Sequence, residues 1–149
     1  MNPTVKSCGV LIVRGDPIAS FLLMEHDDRF DLPKGHVDGE ETELECALRE
    51  LHEETGIQED DIELDLGFRF VAEYTVQYKK KFGGQPRDKR LVIFLGRLQS
   101  DVNIAPTEHH GYRWVDWDPP HRIQVETIDP LLAELERFLC DGRDTTMTL

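Results

Sequence analysis

Hydrophobic runs along the chain predict several β-strands. Residues 6–13 and 90–98 are rich in apolar and β-branched side chains, which is typical of buried strands. Residues 14–17 (Arg-Gly-Asp-Pro) favour a turn, so residues 19–24 are expected to return beside the first strand. Residues 62–78 contain two further strand-like segments. The pattern of hydrophobic positions therefore predicts a sheet.

The C-terminal part of the chain has the spacing of an amphipathic helix. Asp129 is the expected N-cap and Pro130 the first helical residue. The apolar residues that recur at helical spacing are Leu131, Leu132, Leu135, Phe138 and Leu139. We expect this helix to end before Gly142 and residues 143–149 to form a frayed tail.

A second helical pattern, around residue 50, separates an apolar stripe from a row of carboxylates. At about 100° per residue, Glu53 and Glu54 lie within about 60° of Glu50, so the three carboxylates share one arc. The stripe beside them comprises Leu44, Ala47, Leu48, Leu51 and Thr55. Like charges at this spacing repel one another, whereas hard cations such as Mg²⁺ and Mn²⁺ bind several oxygen ligands. Spacing alone leaves a metal site and an exposed acidic face both open.

Length, charge and cysteine content restrict the class of protein. The 149 residues fit one domain, which we place at residues 1–142, and the strands and two helices predict an α+β fold. The net charge of −13 argues against nonspecific binding to nucleic acids or anionic membranes. Three widely spaced cysteines, the lack of a leader and the lack of a run of about 20 apolar residues suggest a cytoplasmic protein with reduced thiols. Its oligomeric state stays open.

The residues around the acidic helix fit the fixed positions of a known motif. These positions are Gly35, Glu41, Arg49, Glu50, Leu51, Glu53, Glu54, Gly56 and Ile57, at the spacing of the Nudix box. The chain therefore resembles a Nudix hydrolase, over residues 7–140. The resemblance implies an α/β/α sandwich with a mixed central sheet. It also implies a loop, helix and loop that bind divalent metal and hydrolyse a nucleoside diphosphate linked to another group.

The resemblance and the chemistry of the side chains suggest a role for each polar residue of the box. The expected ligands of Mg²⁺ or Mn²⁺ are Glu50, Glu53, Glu54 and, by resemblance, the carbonyl of Gly35. We favour Glu54 as a ligand and leave the general base open between Glu50 and Glu53. Arg49, with Glu41, is expected to orient the carboxylates through charge-assisted hydrogen bonds, and direct contact of Arg49 with substrate is the alternative.

Residues 32–37 (Leu-Pro-Lys-Gly-His-Val) contain a run that resembles asymmetric diadenosine tetraphosphate hydrolases, a Nudix subgroup. Lys34 is therefore a candidate to hold a nonbridging phosphate oxygen and to stabilise charge in the transition state. His36 is a candidate for phosphate binding or for acid chemistry, and simple loop packing is the alternative.

Two further features resemble the same subgroup. Tyr74 lies 17 residues beyond Ile57, where Nudix enzymes that act on dinucleoside polyphosphates often have a tyrosine. Residues 108–114 (Glu-His-His-Gly-Tyr-Arg-Trp) resemble the Glu-His-x-x-Tyr-Arg-Trp segment of those enzymes. We predict that Tyr74 and Tyr112 clamp one adenine base, with filling of the core edge as the alternative. Glu108 is a candidate for a further carboxylate ligand from another loop.

Basic residues are concentrated in one stretch of this acidic chain. They are Lys79, Lys80, Lys81, Arg87, Lys89 and Arg90. We predict a loop between strands here, either solvated or able to guide a polyphosphate.

The leading functional hypothesis is metal-dependent hydrolysis of dinucleoside polyphosphates, giving ATP and AMP from diadenosine tetraphosphate by attack of water on phosphorus. The expected partner is a small nucleotide; no membrane and no nucleic acid other than an RNA 5′ end is expected. The alternatives are a pyrophosphohydrolase for RNA 5′ ends, inositol pyrophosphates or nucleotide sugars, and a catalytically silent nucleotide-binding or protein-binding module. The intact Glu50, Glu53 and Glu54 argue against the silent module.

Overall fold

The computed structural model describes residues 4–77, 84, 86–107 and 111–147. The strands within these residues are β1 (Thr4–Arg14), β2 (Ser20–Glu25), β3 (Phe30–Asp31), β4 (Lys34–His36), β5 (Ile62–Gln77), β6 (Pro86–Leu98) and β7 (Gly111–Asp116). The helices are α1 (Glu43–Thr55) and α2 (Asp129–Met147), and a 3₁₀ turn covers Glu59–Asp61.

All these strands belong to one mixed sheet. Its main order is β3-β2-β1-β6-β5; β1 and β6 run parallel, and β5 pairs antiparallel with β6. Strand β1 pairs with β2 only at its C-terminal end, at Val13 and Arg14, whereas nearer its N-terminal end it pairs with β4 at Ser7, Cys8 and Gly9. Strand β2 continues with β3 and β7 instead. The sheet therefore divides between β1 and β2, and β3 and β4 lie at the division.

Each face of the sheet is covered by one helix. The α1-side core contains Cys8, Val10, Ile12, Leu22, Met24, Cys46, Ala47, Leu51 and Val92. The α2-side core contains Leu11, Val13, Phe21, Leu23, Phe68, Leu91, Ile93, Leu131, Leu132 and Leu135. A mixed sheet between two helices confirms the predicted α/β/α sandwich of the α+β class.

Helix α1 has capping interactions at both ends. The side chain of Thr42 accepts a hydrogen bond from the Glu45 amide, and the carboxylate of Glu45 accepts one from the Thr42 amide. Gly56 ends the helix in the left-handed conformation at φ 82°, which glycine adopts without strain. The predicted apolar stripe does face the sheet, joined by Cys46, whose burial the stripe did not predict.

Several predicted boundaries differ from the structure. Residues 62–78 were predicted as two strand segments, but β5 is one strand whose register shifts between Asp65 and Arg69. Such an irregularity interrupts the alternation of side chains and so mimics a break in the sequence. The strand predicted at residues 90–98 is present but begins earlier, at Pro86, so the assignment of Arg87 and Lys89 to a loop was wrong. Arg90, which the two predictions shared, lies in the strand. Lys79, Lys80 and Lys81 lie outside the described residues.

The C-terminal helix also differs from its prediction. Asp129 is the first helical residue rather than the N-cap, and its carboxylate accepts hydrogen bonds from the amides of Ile123 and Gln124 in the preceding loop. The helix continues past Gly142 to Met147, so most of the expected tail is helical. None of the helices in the described part of the chain is long and apolar enough to cross a membrane.

Candidate active site

The candidate site is a cavity of about 620 Å³ at the division of the sheet. Strand β4 and helix α1 supply opposite walls, with Lys34, Gly35 and His36 on one and Arg49, Glu50, Glu53 and Glu54 on the other. The short β4 pairs with the middle of β1, which places its residues over α1. The structure therefore brings together the residues that were predicted from the box and from the Pro-Lys-Gly-His run.

Glu54 is the buried carboxyl of this site. Its side chain follows the apolar stripe of α1 into the protein, and the residue is only 4% exposed. One carboxyl oxygen, Oε2, accepts a hydrogen bond from the amide of Lys34 at 2.9 Å. Burial, followed by the charge of Glu50, raises the pKa of Glu54 to about 8. The fold therefore holds a carboxylate where its negative charge lacks full compensation by protein groups.

Glu50 lies against the backbone of Gly35. A Cβ atom at Gly35 would collide with the carboxyl group of Glu50, so only glycine leaves room for this close approach. The carbonyl of Gly35 accepts a weak hydrogen bond from Cys46 Sγ at 3.4 Å, so it too is directed towards α1. Gly35, Glu50 and Glu54 thus form one compact group of oxygen donors between β4 and α1.

Replacing Gly35 by alanine should lower turnover by about tenfold to a hundredfold, because the added methyl group displaces the carboxyl of Glu50. The free energy of unfolding should change by less than about 1 kcal/mol, since the displaced atoms end a flexible side chain. Steady-state kinetics and denaturant unfolding measure the two effects. Gly39→Ala, where an added Cβ meets no atom within 4 Å, is the control for turnover and should keep the wild-type rate, although its left-handed φ of 59° should cost about 1 kcal/mol of unfolding free energy. Full activity of Gly35→Ala would contradict the assignment of Glu50.

Arg49 connects the carboxylates of the site. Its guanidinium donates to both oxygens of Glu41 at 2.6 and 2.9 Å, and to Glu50 and Glu53 at 3.0 Å each. A further hydrogen bond reaches the carbonyl of His36 at 3.1 Å. The hydrogen bonds to Glu41, followed by those to Glu50, raise the pKa of Arg49 above its ordinary value despite partial burial. The structure therefore contains the hydrogen bonds that were predicted between Arg49 and the carboxylates of the box.

The carboxylate and carbonyl oxygens of the site are the kind of ligand that a hard divalent cation binds. Glu50 and Glu54 carry carboxyl groups close enough to raise the pKa of Glu54, and cations of this class bind oxygen ligands. Within the described residues, however, no three acidic, histidine or cysteine side chains are already arranged to hold an ion. Arg49 engages oxygens of both Glu50 and Glu53. The full ligand set thus stays a prediction, and Glu108 lies outside the described residues.

The structure does not bring Tyr74 and Tyr112 together. Tyr74 lies on β5 and packs against the α2-side core. Tyr112 lies on β7 opposite Met24, a residue of the α1-side core, and cross-strand partners share a face of the sheet. The two rings therefore occupy opposite faces, which contradicts a clamp of both on one base. A contact of either ring with substrate stays a prediction.

The cavity is also lined by Ser7, His26 and Asp31, which the sequence did not single out. Lys89 of β6, a residue of the predicted basic stretch, lines it too. The hydroxyl of Ser7 is buried and has no hydrogen-bond partner among the residues that the structure describes. His36 lies opposite Ser7 in the pairing of β4 with β1, and its side chain lines the cavity, so its predicted phosphate contact stays a prediction. No motif indicated Asp31 or His26, because their contacts arise from the pairing of β2 with β3.

Comparisons with known proteins point to one family. The NUDIX domain matches residues 3–135. The bis(5′-nucleosyl)-tetraphosphatase [asymmetrical] of Rattus norvegicus is 34% identical over 149 residues, which cover 91% of this chain and 96% of the relative. The RNA pyrophosphohydrolase of Erythrobacter litoralis (strain HTCC2594) is 31% identical over 105 residues, 64% of either chain. The crystal structure of a C. elegans Ap4A hydrolase binary complex superposes with a TM-score of 0.75 at 26% identity, covering 92% of this chain and 98% of that one.

Proposed function

The chain belongs to the Nudix family and is a Nudix pyrophosphohydrolase, and from this premise we propose that it hydrolyses dinucleoside polyphosphates with Mg²⁺ or Mn²⁺. Diadenosine tetraphosphate is the proposed substrate, with ATP and AMP as products. The observation that carries the proposal is the buried carboxyl of Glu54, which lies beside Glu50 and accepts a hydrogen bond from the amide of Lys34. The names of the rat and C. elegans relatives support the choice of substrate.

Each residue of the site has a part in the proposed reaction. Glu50, Glu53, Glu54 and the carbonyl of Gly35 would hold the cation. Bound there, a divalent cation neutralises phosphate charge and lowers the pKa of water. Glu50 or Glu53 accepts a proton from the water that attacks phosphorus, and the phosphorus–oxygen bond to the leaving nucleotide breaks. Lys34 contacts a nonbridging phosphate oxygen, and Arg49 keeps the carboxylates oriented.

A pyrophosphohydrolase for RNA 5′ ends is the second candidate. The Erythrobacter relative carries that activity in its name, although it matches a smaller share of this chain than the rat protein does. The same carboxylates and Lys34 would serve the same chemistry on a triphosphorylated 5′ end. The two candidate functions are told apart by whether a dinucleoside polyphosphate or a triphosphorylated RNA 5′ end is cleaved more efficiently. The cytoplasmic location predicted from the sequence likewise stays a prediction.

The deciding experiment is a substrate panel with Mg²⁺, with Mn²⁺ and with chelator, resolved by anion-exchange chromatography. The panel comprises diadenosine tetraphosphate, triphosphorylated RNA, an inositol pyrophosphate and a nucleotide sugar. We expect metal-dependent conversion of diadenosine tetraphosphate into equal amounts of ATP and AMP, with the highest kcat/KM of the panel. Two molecules of ADP as the product, or preferred cleavage of RNA, would refute the proposal while leaving the family assignment intact.

A further inference from the structure

Asp31 places a negative charge at the point where a phosphate-binding lysine faces the cavity. Asp31 Oδ1 lies 3.3 Å from the ammonium Nζ of Lys34, and the two side chains are only 18% and 17% exposed. Its carboxylate is also near enough to contribute to the raised pKa of Glu54. A carboxylate here repels an anionic substrate, so its presence in the cavity calls for a compensating role.

The carboxylate of Asp31 is held from several sides. Oδ1 also accepts a hydrogen bond from the amide of Leu32 at 2.8 Å. Oδ2 lies 3.7 Å from Nε2 of His26, beyond hydrogen-bond distance, so this neighbour pairs with Asp31 only when the imidazole is protonated. The preceding residue, Phe30, is fixed by the side chain of Gln124, which accepts from the Phe30 amide at 3.0 Å and donates to its carbonyl at 2.9 Å. Asp31 therefore lies at a braced position on β3, where it can act as a fixed anchor.

The backbone of Lys34 is fixed as well. Its amide donates to Glu54, and a Cβ atom at Gly9 would collide with the Pro33 carbonyl and with Cβ of Lys34. Beyond Cβ, a lysine side chain has several rotatable bonds and retains much conformational freedom unless its ammonium is paired. With its backbone fixed by Glu54 and Gly9, Lys34 needs one more contact to define where its charge lies. The ion pair with Asp31 supplies that contact.

We propose that Asp31 is a positioning residue that holds the ammonium of Lys34 in the orientation needed for phosphate hydrolysis. This inference rests on the proposed function. Asp31 acts through Lys34 and does not touch the reacting atoms. The pair should have opposite effects on turnover and on binding. The fixed orientation of Lys34 raises kcat, whereas the negative charge of Asp31 weakens binding of the polyphosphate and so raises KM.

Two substitutions at Asp31 separate these effects from a structural role. Asp31→Ala should lower kcat for diadenosine tetraphosphate by about tenfold, because Lys34 loses its orientation. It should also lower KM by several-fold, because a negative charge leaves the cavity. Asp31→Asn keeps an acceptor for Lys34 and should lose less kcat than Asp31→Ala. Asp28→Asn removes the same charge from a side chain that is 83% exposed on the same hairpin, and should match the wild type.

A double-mutant cycle tests whether Asp31 acts through Lys34. Lys34→Ala alone should lower kcat by about a hundredfold, and adding Asp31→Ala should lower it no further. If Asp31→Ala reduces kcat by the same factor with and without Lys34, the positioning role is overturned. A rise of KM in Asp31→Ala would overturn it too.

A substrate-free measurement keeps this inference separate from the proposed function. Acetylation of lysines by acetic anhydride, followed by peptide mass spectrometry, reports the reactivity of Lys34 in the intact protein. Lys34 should be modified several-fold faster in Asp31→Ala than in the wild type, and at the wild-type rate in Asp28→Asn. Equal rates in Asp31→Ala and wild type would overturn the positioning role. If the wild type leaves diadenosine tetraphosphate intact, the proposed function fails, and the acetylation rates alone decide the role of Asp31.

Discussion

Replacing Glu54 by glutamine should lower turnover of diadenosine tetraphosphate by about a thousandfold, because the substitution removes a buried carboxylate that is expected to hold the divalent cation. Glutamine has nearly the same shape, and its carbonyl oxygen can still accept the hydrogen bond from the amide of Lys34. The loss of activity should therefore come from the missing charge. Steady-state rates with Mg²⁺ and with Mn²⁺ measure it.

The same substitution should leave the metal-free fold at least as stable as the wild type. Burial and the charge of Glu50 disfavour the ionised form of Glu54, which is why the pKa of Glu54 is raised to about 8. Below the ordinary pKa of a glutamate, Glu54 is neutral in both the folded and the unfolded chain, so the metal-free wild type and the variant should be similarly stable. As the pH rises from there to about 8, the unfolded chain releases the proton that folded Glu54 retains, so the wild type should lose stability relative to the variant. At neutral and alkaline pH, activity and stability should thus change in opposite directions, as expected for a residue retained for catalysis at a cost to the fold.

Thermal unfolding with and without Mg²⁺ completes the Glu54 experiment. Mg²⁺ should raise the unfolding temperature of the wild type, since a ligand that binds the folded state stabilises it, and should raise that of Glu54→Gln much less. Glu40→Gln is the matched control, because it removes an exposed carboxylate from the loop before α1. If Glu54→Gln and Glu40→Gln hydrolyse substrate at similar rates, Glu54 has no part in the reaction.

The parts of the site that lie on α1 could be predicted from the sequence. The period of a helix places Glu50, Glu53 and Glu54 on one arc beside the apolar stripe, and the structure has that arrangement. The period also explains why the three carboxylates differ in exposure. Glu54 borders the stripe and is buried, whereas the side chain of Glu53, on the far side of the arc, is 55% exposed. Local periodicity was sufficient because all three residues belong to one regular element.

The parts that depend on strand pairing could not be predicted in this way. The pair of Asp31 and Lys34 spans a short turn through Leu32 and Pro33, between two strands too short to show a period of their own. The clamp of Tyr74 and Tyr112 failed for a related reason. Which face of a sheet a residue occupies depends on the register of its strand. The register shift in β5 shows in the sequence only as a break between two segments, which does not reveal the face that Tyr74 occupies.

Arg49 illustrates how one side chain can connect predicted and unpredicted parts of the site. Its hydrogen bonds to Glu41, Glu50 and Glu53 follow from the box, but its hydrogen bond to the His36 carbonyl also ties α1 to β4. The planar guanidinium donates in several fixed directions at once, which a lysine ammonium cannot reproduce. We therefore expect that a positive charge alone at residue 49 does not keep the carboxylates oriented.

Arg49→Lys should accordingly lower the free energy of unfolding by about 2 kcal/mol, even though the positive charge is kept. The loss should come mainly from the half-buried contacts with Glu41, with Glu50 and with the His36 carbonyl. The exposed pair with Glu53 contributes little in water. Turnover should fall by about a hundredfold, because Glu50 and Glu53 lose their common donor. Urea unfolding and steady-state kinetics measure the two losses.

Arg137→Lys provides the matched control for Arg49. Arg137 pairs with Glu134 at 3.0 Å on the surface of α2, where its side chain is 67% exposed, so the same exchange should change the free energy of unfolding by less than about 0.5 kcal/mol. It should leave turnover unchanged. If Arg49→Lys behaves like Arg137→Lys, a positive charge is all that the site needs from residue 49. A large loss in Arg49→Lys alone would instead show that the carboxylates depend on the geometry of the guanidinium.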